Sequence, residues 1–240
     1  LRAARQLKQR IPFDLAKRIQ HLINDPSERV LTEAAIALRD VNADSAPQLW
    51  TRLAKRHTGD RWFLEALGLA ADGRWNECLS AWLKETPYPT KTTTDRQIIW
   101  RSRGSKTTRL LGKALGQQGI HLDETKRLIR ALDFQPDGEA KDTVLLRHTA
   151  SFPGKLSSRN ILLKGEMFLR LAKSKTAKRS EYEVALNRYL NQAKNTTYFV
   201  SVVDVLGLRE SQNELVDLAM THLVSALGQA ALNVLFDNGS

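Results

Sequence analysis

The 240-residue chain contains one cysteine, Cys78. That excludes an intrachain disulfide framework and any zinc site built on paired thiols, so the fold has to be stabilised by packing. Clustered metal ligands are also lacking. His21, His57, His121, His148 and His222 are scattered, with neither HExxH nor another paired spacing, and read as isolated surface or core histidines. No phosphate loop is present, because Gly112-Lys113 and Gly154-Lys155 have Thr107 and Thr149 where a P-loop needs its first glycine, and Ala114 and Leu156 where it needs Ser or Thr. The longest uncharged stretch, between Asp217 and Asp237, includes His222, Gln229 and Asn233, so no membrane span is expected. The opening residues LRAARQLKQRIPFDLAKRI lack the apolar run of a secretion signal and begin with Leu1; they read as part of a longer polypeptide.

What the chain does have is positive charge, with 37 Lys+Arg against 26 Asp+Glu and a formal net charge of +11. The charge is unevenly placed. From residue 195 onward Arg209 stands alone against Asp204, Glu210, Glu214, Asp217 and Asp237, so that end is negative and the rest strongly positive. Two basic stretches, Arg96, Arg101, Arg103, Lys106, Arg109 and Lys113, then Arg170, Lys173, Lys175, Lys178 and Arg179, are either solvated faces or a polyanion-binding strip.

Apolar residues follow a helical period nearly everywhere. Val30, Leu31, Ala34, Ala35 and Leu38 follow the start signal Asp25-Pro26-Ser27, and Ala46, Leu49, Trp50 and Leu53 form the next stripe after a turn over residues 40–44. A shift of 32 residues superimposes this hairpin on its successor, matching Glu33 with Glu65, Ala34 with Ala66, Asp40 with Asp72 and Trp50 with Trp82. A further shift takes Ala66-Leu67 to Ile98-Ile99 and Cys78-Leu79 to Leu110-Leu111. Helical pairs recurring at this length imply an all-α fold, an α-α superhelix of stacked hairpins whose faces are buried only by their neighbours. Beyond residue 120 the spacing loosens, and helices are expected at about 123–134, 137–151, 158–172, 179–194, 196–207 and 211–236. Loops are expected at Thr86-Pro87-Tyr88-Pro89-Thr90 with Thr92 to Thr94, at Gln135-Pro136-Asp137-Gly138 and at Phe152-Pro153-Gly154. The whole reads as one domain over 1–240, with more regular repeats over 25–118, looser ones over 119–240, and 173–180 as the weakest candidate boundary.

The unit length and the Ala/Leu pattern with an inter-helix Asp resemble HEAT and armadillo repeats. More closely, DRWFLEALGLAADGRWNECLSAWL (60–83), IIWRSRG (98–104) and RLIRALDFQ (127–135) resemble the helical-repeat region of large secreted haem-binding, membrane-bound dehydrogenase-like proteins of the Planctomycetes–Verrucomicrobia type. The likeness spans roughly the first 60% of the chain. It implies an extracytoplasmic (periplasmic or secreted) electron-transfer protein, with haem c attached elsewhere at a CxxCH motif. Cys78 is followed by Leu79, Ser80, Ala81 and Trp82, so that motif is not here, and the resemblance implies no cofactor in this chain.

These readings lead to a non-catalytic scaffold with no catalytic, cofactor-binding or metal residues. Its partners would be neighbouring domains of the same polypeptide or another protein. Cys78, on a stripe with Trp75, Leu79 and Trp82, is expected to be a buried inert thiol. The alternative is a nucleic-acid-binding protein, in particular one resembling the HEAT-like alkylpurine DNA glycosylases, where Asp60 near Trp62 or Asp72 near Trp75 would stabilise an oxocarbenium charge. The simpler reading puts those aspartates in turns or at helix starts and those tryptophans in the repeat core.

Overall fold

The computed structural model describes residues 14–42, 44–151 and 154–237; Phe152 and Pro153 of the expected turn, Ala43 and the first thirteen residues lie outside them. Among the described residues there are fourteen α-helices and no strand. In order they are α1 Leu15–Leu22, α2 Glu28–Leu38, α3 Ala46–Ala54, α4 Arg61–Ala71, α5 Trp75–Glu85, α6 Thr93–Arg101, α7 Thr107–Leu115, α8 Leu122–Ala131, α9 Glu139–Ala150, α10 Ser158–Ala172, α11 Arg179–Ala193, α12 Thr197–Leu206, α13 Gln212–Thr221 and α14 Ala226–Asp237. The all-α repeat fold read from the periodicity is the one observed. No described helix is long and apolar enough to cross a membrane.

The chain groups into two compact units, residues 1–119 with 130–135, and residues 120–129 with 136–240. In the first, α2 packs on α3 and on α4, α3 on α5, and α4 on α6. A helix that contacts both its hairpin partner and the helix two along is the packing of an α-α repeat stack. The register of 32 is visible in the helix starts, since α4 and α6 begin at Arg61 and Thr93, and α5 and α7 at Trp75 and Thr107. Trp50 and Trp82 are both fully buried, as are Ala66, Leu67, Ile98, Ile99, Cys78, Leu79 and Leu111. Each such Leu or Ile contributes roughly 1.5–3 kcal/mol by leaving water. Trp50 also donates its indole N–H to the Leu67 carbonyl (2.8 Å) and meets the edge of Trp75.

Polar ties repeat at nearly the same interval. Arg56 donates to the Asp25 carbonyl and Arg74 to the Val41 and Arg39 carbonyls, groups just past the ends of α1 and α2. Thr58 donates to Glu28, Arg101 to Glu65 and the Ser105 N–H to Asn76. In the second unit the sequence repeat has faded, yet Arg159 still donates to Thr125, Ser174 and Thr176 to the buried Asp142, and Tyr198 to Glu166. There α9 packs on α10 and α11, α10 on α12, and α12 on α14.

Two local expectations need correction. Residues 93–94 are helix and not loop, because Thr92 caps α6, accepting from the Asp95 N–H (3.1 Å), and the helix starts at Thr93. Residues 211–236 are not one helix. The chain breaks after Thr221, and Ser225 restarts it by accepting from the Gly228 N–H (3.3 Å). The resulting hairpin is tight: a Cβ on Gly228 would lie 2.1 Å from the His222 carbonyl oxygen.

The end of α9 is closed by Lys164 of α10, a buried lysine whose ammonium donates to the carbonyls of His148 (2.9 Å), Thr149 (3.0 Å) and Ser151. These are among the four carbonyls that a helix leaves without intrahelical donors. Burial lowers the ammonium pKa to about 8.

Two outcomes are expected. Gly228→Ala should destabilise by about 1–3 kcal/mol, since backbone rather than a flexible side chain has to move; denaturant melts measure it. Lys164→Met should cost about 1–3 kcal/mol at pH 7 by stranding buried carbonyls. Because the folded pKa lies below the unfolded value of 10.5, wild type should gain on the variant as pH rises from about 8 to 10.5, where only the unfolded chain still holds that proton.

Candidate interaction surface

The residues set aside as chemically interesting separate in space into structural roles. Asp60 is the N-cap of α4, accepting from the Phe63 N–H at 2.6 Å, and Asp72 is the exposed residue that ends the same helix. Trp75 is buried against Trp50. Trp62 departs from the core assignment: it is 73% exposed, with the Arg61 guanidinium 6.0 Å from its ring centroid. The reason is periodicity, since Phe63, Leu64, Leu67 and Ala71 take the buried side of α4 and leave 62, 65 and 69 outward.

Cys78 is fully buried, and burial pushes its thiol up to about 12. The first basic stretch is largely engaged. Arg96 is buried on the carbonyls of Thr90 and Lys91, Arg101 is paired with Glu65, and Arg103 donates to the carbonyls of Trp100, Arg101 and Ser102 at the end of α6. Arg109 and Lys113 are exposed. In the second stretch Arg170 binds Glu166, and Lys173, Lys175 and Lys178 face solvent.

Segments distant in sequence meet on one face of the first unit. Glu65 of α4 accepts from Arg101 Nε at 2.8 Å. The Arg101 guanidinium lies on Gly68, where a Cβ would be 2.4 Å from its central carbon. Two residues on, the Arg103 guanidinium sits 5.0 Å from the ring centroid of Phe134, itself 56% exposed. Its burial and the neighbouring Arg101 charge both lower the Arg103 pKa. Gln135, buried beside Phe134, donates to the Ala131 carbonyl (3.2 Å) and the Ser102 carbonyl (3.5 Å). Thus Phe134 is exposed beside Arg103 of the Glu65–Arg101–Arg103 array, and Trp62 and Leu69 are exposed on the outward side of α4 that carries Glu65. Exposed aromatic and Arg side chains held by fixed neighbours are the composition of binding hot spots.

A separate cleft of about 400 Å³ lies between the end of α3 and the loop before α6, lined by Lys55, His57, Glu85, Tyr88, Lys91 and Asp95 among others. Its charged lining is partly self-neutralised, with Lys55 Nζ 2.5 Å from Glu85. His57 is buried, which lowers its pKa, and its Nε2 meets Gln97 Oε1 at 2.8 Å. Among the described residues no group of three His, Cys, Asp or Glu could hold a metal ion.

No family model, curated protein or solved structure matches this chain.

Cys78 should resist a thiol-specific disulfide reagent in the native state and react fully once denaturant unfolds the chain; rapid native reaction would contradict its burial. Gly68→Ala is expected to leave stability within about 1 kcal/mol of wild type, helix propensity offsetting the displaced guanidinium. The same change should remove the Arg101–Glu65 pair, read as loss of coupling in an Arg101→Ala/Glu65→Ala double-mutant cycle.

Proposed function

We propose that this chain is a non-catalytic helical-repeat scaffold that holds a neighbouring module, or a protein partner, on the face of Trp62, Leu69 and Phe134. The parent would be a secreted, c-type haem-binding, dehydrogenase-like electron-transfer protein whose haem c is bound elsewhere on the polypeptide. One observation carries the scaffold reading: the three stretches that carry the family resemblance, far apart in sequence, meet through Glu65, Arg101, Arg103 and Phe134, and Trp62 is exposed on the outward side of the helix that carries Glu65. The core of the hairpin stack needs neither Trp62 nor Phe134 exposed. An exposed aromatic costs apolar contact with water, and a partner that covers it recovers that contact.

The charge distribution supports a protein partner over nucleic acid. The stretch that would form a polyanion strip uses Arg96 and Arg103 on backbone carbonyls and Arg101 on Glu65. Of the two carboxylates a glycosylase could use, Asp60 is engaged in capping α4 and Asp72 is the exposed residue that ends the same helix.

The parentage is tested by reading the full open frame: a CxxCH motif and a signal peptide are expected, and a frame with neither would sink it. The surface is tested by expressing this chain with its flanking modules and measuring contact by cross-linking. Trp62→Ala with Phe134→Ala should abolish cross-links to this face with the melting temperature unchanged, and unaltered cross-links would refute it. In the same preparation, duplex DNA should bind weakly and lose affinity steeply with salt. Release of a methylated purine that depends on Asp60 or Asp72 would overturn the scaffold reading.

A further inference from the structure

The last hairpin carries an apolar face that its own repeat leaves uncovered. On α13, Leu215, Leu218 and Ala219 are buried. The opposite side presents Val216 and, one turn on, Met220, which is 67% exposed; the following turn adds Leu223 and Val224, the latter 97% exposed. Spacings of three and four residues place Val216 and Met220 on one strip running into that turn. Asp217, next to Val216 on α13, is exposed, as is Glu210 just before that helix. Beyond residue 194 the sequence offers only Arg209 against five acids.

Residues 1–13, LRAARQLKQRIPF, have the opposite chemistry. They contain Arg2, Arg5, Lys8 and Arg10 with no acid, and Ala4, Leu7 and Ile11 at the spacing of an apolar helical face. We propose that residues 1–13 of a second copy dock on the face formed by Val216, Met220, Leu223 and Val224, so that copies associate head to tail. Burial of the four apolar side chains supplies the affinity, and Arg2, Arg5, Lys8 and Arg10 beside Glu210 and Asp217 supply orientation and encounter rate. The two surfaces differ, so the contact is heterologous and each head-to-tail pair keeps one unfilled surface of each kind. Association of this sort grows with concentration instead of stopping at a dimer.

Light scattering or sedimentation of the full chain over a concentration series tests this. The weight-average mass should climb with concentration and fall when salt is raised. Deleting residues 1–13 should leave a monomer. Met220→Lys, at an exposed position that folding does not depend on, should weaken association at least about tenfold, roughly 1.4 kcal/mol, with an unchanged melting curve. The free peptide LRAARQLKQRIPF should compete and reduce the mass. A chain that stays monomeric at every concentration would overturn the proposal. So would a mass that plateaus at a dimer, or association that survives both the deletion and Met220→Lys.

Discussion

The structure depends on closing the ends of its helices. Helices of 8 to 15 residues have many termini for their length, and every C-terminus leaves carbonyls that must find a donor or stay wet. Here cationic side chains supply donors. Arg56 and Arg74 reach groups just past the ends of α1 and α2, Arg103 folds back on the end of α6, and Lys164 closes α9. Each is also favoured by the negative end of the helix dipole. In three of the four cases the donor comes from a different helical hairpin or helix, so the bond that finishes one element also fixes the position of the next. These four cations are therefore structural.

Close approach is the second constraint, and glycine permits it where Cβ would not fit. Gly68 admits the Arg101 guanidinium across α4, Gly165 admits the hydroxyl of Tyr189 and the ring of Tyr198, and Gly228 admits the His222 carbonyl. These contacts differ in what would have to yield. Arg101 can swing away, whereas the His222 backbone cannot, so the same Gly→Ala change is a local rearrangement in one repeat and a packing fault in another. The Tyr189 hydroxyl is buried without a hydrogen-bond partner among the described residues, and burial raises its pKa. Its value there lies in the ring, which packs on Phe168.

On the proposed scaffold, function would reside in what the repeats leave outside. The face of Trp62, Leu69 and Phe134 and the face of Val216, Met220, Leu223 and Val224 are both made of exposed apolar side chains, with charged residues near them. They differ in sign: guanidinium groups flank the first and carboxylates the second. A surface of this kind selects partners by shape and charge together and needs no reactive group.

Sequence alone determined the helical class, the 32-residue register and the burial of Trp50, Trp82 and Cys78, because amphipathic periodicity reports directly which side of each helix leaves water. It also held the signals for two features read otherwise: Ser225 three residues before Gly228 marks a helix restart, and the period through Phe63 and Leu67 turns Trp62 outward. Only the tertiary structure decided which basic residues are spent on carbonyls, that Arg101 and Glu65 are partners, and that Phe134 lies beside Arg103. The physical reason is range. Apolar period is a property of one helix, while the partner of Arg74 or Arg101 is an atom more than thirty residues away whose position exists only once successive repeats have stacked.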